Sequence, residues 1–403
     1  MFNLNKWMAK CLNYKKNVFR QFTYERPSFT KKYQVFKGVN SDRKSLIRKI
    51  SFLTTYQDEN SQRYRVYNPI EELTEAGIEC IVFKEDGTED MECILDSDLL
   101  VVFRVASSDN VMRILKEFNR RHIPVVFDID DLIFEPESAD LLYAVAIMDE
   151  TEKSKRIEDM CRVRETLLAS DYVTCSTEAL SKRVERLNKK SYVFPNTINT
   201  SQYNLAEILR KEKKPQLDNR VKLGYLSGTR THEKDFQEAS DALYEVMKRN
   251  GEAELYVVGI LDLDNKFLGF GDRVVRAPLM GHLEMLRYLS RMDINLAPLE
   301  INNAFTDCKS ELKIFEAALV GVPTVASPTD SYKRCIDDGV NGFLAATKEE
   351  WVNKIEYLIH DKRLRDEMAG RANSDFVKGF FIKNIIGDLI RIYENIALDY
   401  RKT

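Results

Sequence analysis

The sequence predicts an α/β protein of two doubly wound parallel-sheet domains facing a central cleft, and three observations predict it. The chain has 403 residues, enough for two full-sized cores. Short apolar, β-branched runs alternate with amphipathic helical stretches along both halves, the pattern of strand–helix–strand crossovers. A polar, proline-punctuated segment between residues 195 and 215 separates the two series and reads as a linker. No short repeat runs through them, so the halves read as two separate Rossmann-type units.

In chain order, residues 50–55 read as the first buried strand. Residues 64–76 read as a helix closed by Gly77. Strands follow at 78–83 and 99–103, then a helix at 111–121 and a strand at 123–127. Ligands of such sheets sit beyond the carboxyl ends of the strands. Arg104 and the run Asp128-Ile129-Asp130-Asp131 occupy such ends and are expected to face the crevice. A helix at 150–170, a strand at 172–175, a helix at 177–188 and a strand at 192–194 complete the first domain.

The second domain opens with a strand at 221–227 that runs through Ser227 into Gly228-Thr229-Arg230-Thr231-His232 and a helix from Glu233. A strand, a small-residue turn and a helix start is how backbone cradles phosphate oxygens. Gly228 permits close approach, and Arg230 supplies the fixed cationic fork that a diphosphate favours. His232 is either a phosphate contact or a capped helix-start histidine. A strand at 254–258 ends in Gly259, 283–291 is amphipathic, and a strand at 293–298 feeds the most informative stretch. Helices follow at 351–359, 364–377 and 382–398.

That stretch is residues 303–327, NAFTDCKSELKIFEAALVGVPTVAS. It reads as a loop, a helix with Thr306 or Asp307 as N-cap, a stop at Gly321 and a small-residue strand. At 100° per residue Ile314, Phe315, Ala318 and Leu319 share one face, and Lys309, Lys313 and Glu316 share another. Lysines four apart repel, and lysine in a first turn opposes the helix dipole. An anion at the helix start makes sense of both; a solvated charged face is the alternative.

The run from Lys309 through Glu316 to Ala318, followed by Gly321-Val-Pro-Thr-Val-Ala-Ser327, resembles the donor-site signature of GT-B glycosyltransferases, closest to the retaining family often called family 4. The segments 224–235 and 338–344 (DGVNGFL) resemble turns that flank that site. The run Pro124 to Phe134, with its DIDD, resembles a segment of bacterial polysaccharide glycosyltransferases that faces the acceptor. The resemblance spans about residues 50–400. It implies a GT-B fold and a retaining transfer of a sugar from a nucleoside-diphosphate donor to a cell-surface polysaccharide or lipid-linked glycan. It also implies that the last helix, 380–403, returns to the first domain.

By that resemblance Glu316 binds the ribose. Arg230 and one of Lys309 and Lys313 neutralise the diphosphate, while Ser227, Gly228, Thr229 and Gly259 line the donor. Arg104, Asp128, Asp130 and Asp131 face the acceptor, with Asp128 and Asp130 as hydroxyl acceptors or acid–base aids. Capping of the following turn is the competing account of the aspartates. The family's first glutamate is replaced by Cys308, for which Asp307 and Glu311 are candidate substitutes. That departure keeps open a non-catalytic subunit that supports a partner transferase; a sugar-nucleotide epimerase on the same plan is the other alternative.

The predicted division is a basic arm over 1–45, a first domain over 46–200, a linker over 201–220 and a donor domain over 221–379. Residues 1–50 hold thirteen basic residues against Glu25 and Asp42, a net of +11, leaving −14 for the remainder. Interleaved with Trp7, Tyr14, Phe19 and Phe22, the arm suits an anionic membrane face or the acidic body of the same protein. No nucleic-acid motif follows it. Seven cysteines without CxxC spacing and four histidines without a ligand-like pair point to a reducing, cytoplasmic setting and no metal or other cofactor. No apolar run reaches the roughly 20 residues of a spanning helix.

Overall fold

The computed structural model describes residues 33–39, 45–56, 59–86, 91–213, 219–228 and 233–402. Thr229, Arg230 and His232 of the predicted phosphate turn, and residues 1–32 and 40–44 of the basic arm, lie outside the described residues.

Among the described residues thirteen strands form two sheets, one per lobe. The first contains β1 (Tyr33–Phe36), β2 (Lys49–Thr54), β3 (Glu79–Lys84), β4 (Leu99–Phe103), β5 (Val125–Ile129), β6 (Tyr172–Cys175) and β7 (Ser191–Val193). Their order is β1-β3-β2-β4-β5-β6-β7. All pairs are parallel except β1 on β3. The second contains β8 (Val221–Gly228), β9 (Ala253–Gly259), β10 (Val274–Ala277), β11 (Ile294–Ala297), β12 (Thr324–Ala326) and β13 (Phe343–Leu344). It is parallel throughout, in the order β10-β9-β8-β11-β12-β13. Helices cover both faces of each sheet, which is why a strand such as β4, LLVVF, is apolar at every position and wholly buried.

Two expectations need correction. The arm does not stay apart up to residue 45: β1 pairs antiparallel with β3, from Tyr33 opposite Phe83 to Phe36 opposite Cys80. Its alternating side chains supply the reason, since Tyr33 and Val35 pack on one face of the sheet and Phe36 on the other. The predicted linker is also largely helical, over Thr200–Lys211. Asn199 and Gln202 form a reciprocal capping box at its start. Ala206 is buried with Leu286 and Leu319 of the second lobe, and the Arg210 guanidinium donates to the Leu319 carbonyl at 3.0 Å.

The helix Lys362–Phe380 packs Ala372 and Phe376 onto the second lobe. The chain then crosses over, and Ile382–Tyr400 packs Leu389, Ile390, Tyr393 and Ile396 against Ile50, Phe52, Val66 and Ile70 of the first. The two crossings run side by side and bond to each other: Ile198 N donates to Phe380 O at 2.7 Å, and Ile382 N to Ile198 O at 2.9 Å. The strand ends of both sheets are thereby held across one cleft.

Candidate active site

The donor-side stretch is broken where the sequence suggested continuity. Asn303, rather than Thr306 or Asp307, caps a short helix over Ala304–Asp307, accepting from Phe305 N at 2.9 Å. Residues 308–311 are not helical, and the second helix runs over Leu312–Leu319, closed by Gly321 at φ 72. Lys309, Lys313 and Glu316 therefore do not share one helical face, and their environments differ.

Lys309 lies 3.5 Å from Asp131 of the first lobe and 4.4 Å above the Phe305 ring, so its charge ties the lobes together. Lys313 is the opposite case. Its ammonium nitrogen is buried and has no hydrogen-bond partner among the described residues, and it sits 4.9 Å over the Tyr225 ring. Burial pulls its pKa down to about 8, with Asp235 opposing the shift and Lys309 adding to it. A buried cation without a hydrogen-bonded anion is costly unless a ligand supplies one.

Glu316 is buried as well, and accepts from the Tyr64 hydroxyl across 2.5 Å. Burial raises its pKa to about 7, opposed by the Tyr64 bond and by Arg63. A first-lobe side chain thus occupies one oxygen of the carboxylate that the resemblance assigns to the ribose. Glu311 is buried with Oε2 unpartnered, and its pKa is likewise raised by burial to about 7. At the end of β8, Ser227 donates to Ile260 O at 3.4 Å, and a bulge brings Gly228 opposite Gly259, which has φ 97.

The acceptor-side cluster pairs its charges internally. Asp128 lies within β5 rather than beyond it, so its side chain points into the layer beneath the sheet and not into the cleft. It receives Arg65 Nε at 2.8 Å, Arg65 Nη2 at 2.7 Å and the Thr174 hydroxyl at 2.6 Å. Asp130 is buried against Arg104, with burial raising its pKa and Arg104 and Arg65 opposing. Arg104 adopts φ 53 to reach it, and also lies 3.7 Å from Asp131. Asp131 is desolvated, but Lys309 and Arg104 hold its pKa below the usual carboxylate value; it also caps Leu132 N at 3.0 Å.

Cys308, at the family's glutamate position, is fully buried within the first lobe's core. The Thr177 hydroxyl donates to its carbonyl at 3.2 Å, and Asn196 donates to Ser310 at 2.9 Å. Residues 303–310 thus dock on the first lobe. A carboxylate at 308 would be stripped of water among apolar side chains, which is a physical reason for a thiol. The roles of Tyr64, Arg65 and Thr174 carry no signal in a single sequence.

This two-lobed architecture is that of the GT-B glycosyltransferases. Anabaena HepE in complex with UDP superposes with a TM-score of 0.56 at 16% identity, covering 86% of this chain and 100% of that one. Sucrose-phosphate synthase from Thermosynechococcus elongatus superposes at 0.59 and 12% identity, covering 87% and 100%. A putative UDP-N-acetylglucosamine 2-epimerase from Listeria monocytogenes reaches 0.50 at 13% identity, covering 88% and 98%. Residues 220–361, within the second lobe, match the family model described as glycosyl transferases group 1. A phosphatidyl-myo-inositol mannosyltransferase of Mycobacterium leprae (strain TN) is 23% identical over 228 residues, 53% of this chain. The match spans 56% of that relative's length. Among the described residues no helix is long and apolar enough to cross a membrane, and no His, Cys, Asp and Glu cluster could hold a metal ion.

Proposed function

We propose that the protein is a retaining glycosyltransferase that moves a sugar from a nucleoside diphosphate onto a growing cell-surface polysaccharide or lipid-linked glycan. The observation that carries this reading is the buried Lys313 ammonium, which lacks a hydrogen-bonded anion in the second lobe. During transfer, negative charge builds on the departing diphosphate while the sugar becomes oxocarbenium-like. A preorganised cation in a dry site stabilises that charge strongly, and loss of one such group costs on the order of 10²–10³ in turnover by analogy with an oxyanion-hole donor. Lys313 takes this role, with Arg230 and the backbone donors of Gly228 and Thr229 completing the cradle. Glu316 takes the ribose once Tyr64 releases it. No protein nucleophile, metal or other cofactor enters the scheme.

Thermal-shift titration with UDP, GDP and dTDP tests the donor site, since a ligand at 100 times its dissociation constant adds about 2.7 kcal/mol. At least one nucleotide stabilises the protein; three flat titrations overturn the reading. The anomeric configuration of the product, read by NMR, decides retention. The basic arm places the enzyme on the cytoplasmic face of an anionic membrane, and loss of liposome co-sedimentation on deleting residues 1–32 is the check. A sugar-nucleotide epimerase remains the second reading, because that fold is shared with a putative epimerase. Such an enzyme converts the donor sugar with no acceptor present.

A further inference from the structure

Two lysines lie in the stretch 303–327, and the fold treats them differently. Lys309 is held by a carboxylate, Asp131, at 3.5 Å. The Lys313 ammonium is buried, has no hydrogen-bond partner among the described residues and lies 4.9 Å over the Tyr225 ring. A charge kept there needs a counter-charge that leaves its N–H groups open. The side chain that supplies it is Asp235, to which no role has been given.

Asp235 lies in the first turn of the helix Glu233–Arg249, which follows the predicted phosphate turn, and is 4% exposed. Its Oδ1 accepts from Glu300 N at 3.1 Å, which ties the carboxylate to the loop beyond β11. The next residue, Phe236, packs its ring on Tyr225 with centroids 4.9 Å apart. The helix start that carries Asp235 and the ammonium of Lys313 thus lie against the same aromatic ring.

Tyr225 and Tyr332 are buried in this group, and burial first and Asp235 second push their hydroxyls well above the ordinary tyrosine value. Neither therefore supplies an anion. Lys313 feels the same carboxylate: burial pulls its pKa down to about 8, Asp235 opposes the fall and Lys309 adds to it. The other charges nearby are engaged elsewhere. Glu316 bonds Tyr64, Arg334 acts on Glu311, and Lys234 lies 3.7 Å from Glu300.

We propose that Asp235 is a positioning residue for Lys313, holding the ammonium charged beside Tyr225 without taking its hydrogens, which stay open to the donor's diphosphate. The diphosphate half of this assignment rests on the transferase reading. A carboxylate in direct contact would compete with the ligand for those hydrogens, as Asp131 does at Lys309. One set further back lowers the cost of the buried charge through its field alone.

Two titrations of the full chain test it, in wild type, Asp235→Asn, Asp235→Ser and Lys313→Met. Asp235→Asn keeps an oxygen for Glu300 N, and Asp235→Ser is a second neutral variant should the amide misfold. The first titration follows isotope-labelled lysine Cε resonances without nucleotide, Lys313 being the one missing from Lys313→Met. Neutralising Asp235 removes the influence that favours the protonated form, so the Lys313 midpoint falls from about 8 by roughly one pH unit. The second measures UDP affinity calorimetrically. That shift cuts the protonated fraction about fivefold at pH 8 and hardly changes it at pH 6. The ratio of variant to wild-type affinity therefore falls about fivefold between these pH values, whereas a general loosening of the fold lowers it equally at both. On the Lys313→Met background Asp235→Asn leaves that ratio flat. An unmoved or raised Lys313 midpoint in the neutral variants overturns the proposal. A lowered midpoint with a flat affinity ratio overturns its diphosphate half. Failure of UDP, GDP and dTDP to bind wild type at either pH counts instead against the transferase reading, and the resonance titration still decides whether Asp235 holds the charge.

Discussion

The Tyr64 hydroxyl of the first lobe donates to the Glu316 carboxylate of the second across 2.5 Å, inside a cluster that buries both side chains. Ribose recognition through Glu316 Oε1 exchanges that bond for one from a ribose hydroxyl. Tyr64→Phe removes the competitor and leaves a buried carboxyl short of a partner. The free protein then melts lower, by the ~1.5–3 kcal/mol typical of a hydrogen bond to a charged group, and the stabilisation given by UDP becomes larger than in wild type. Differential scanning fluorimetry with and without UDP checks this. An undiminished or weakened UDP effect with no gain means that Tyr64 holds Glu316 in the bound state as well.

Lys313 makes nucleotide binding pH-dependent. Its pKa in the free protein is lowered by burial to about 8, and a bound diphosphate favours the protonated form. Affinity is therefore full below pH 7 and declines as pH rises through 8, about tenfold by pH 9, following the protonated fraction. Isothermal titration with UDP across this range checks it. Lys313→Met binds more weakly and shows no step near pH 8.

Two buried carboxyls make stability fall with rising pH as well, over a lower window. Burial raises the folded-state pKa values of Glu311 and Glu316 to about 7, against the ordinary glutamate value of 4.5. Between these values the folded state holds more protons than the unfolded chain, so stability falls as pH rises from about 4.5 to 7. Glu311→Gln flattens part of that slope. Urea midpoints measured across the window read it directly, and a slope identical to wild type would show that Glu311 is solvated.

Most of the fold was legible because both sheets consist of strands buried on two faces, such as LLVVF at β4, separated by periodic helices with recognisable stops. The helix closures at Gly77 and Gly321 carry positive φ in the structure, as turn chemistry demands. The capping box at Asn199 and Gln202 was present in the sequence but hidden by a lysine-rich tail that read as linker. What no single sequence shows is which charges find each other across the fold. DIDD reads as an exposed acidic cluster until Arg65 and Arg104, far away in sequence, are seen to cover it. The spacing of Lys309, Lys313 and Glu316 suggested one face only because the break at 308–311 has no glycine or proline to announce it.

The pair formed by Arg65 and Asp128 is buried on both sides, with side chains 2% and 4% exposed. Such a pair stabilises little relative to an apolar isostere, yet breaking it leaves a naked charge and costs about 3–5 kcal/mol. Arg65→Met is accordingly expected to lower the urea midpoint sharply, and adding Asp128→Leu recovers much of the loss. If Asp128 served the acceptor directly, Asp128→Asn would abolish transfer while leaving the midpoint unchanged.

Cys308 separates an active transferase from a degenerate one. Its side chain is fully buried in the first lobe's core, and burial pushes the thiol pKa up to about 12, so it behaves as a small apolar group. Cys308→Ala removes a sulfur from a packed site and costs about 1–2 kcal/mol while leaving UDP binding intact. Cys308→Glu forces a carboxylate among Phe305 and the first-lobe core, where an unpaired polar group costs several kcal/mol. The expected result is a destabilised protein, or lobes prised apart at residues 303–310, with no gain in transfer. A Cys308→Glu protein that keeps the wild-type urea midpoint and acquires transfer absent from wild type would instead make this chain the non-catalytic partner of another enzyme.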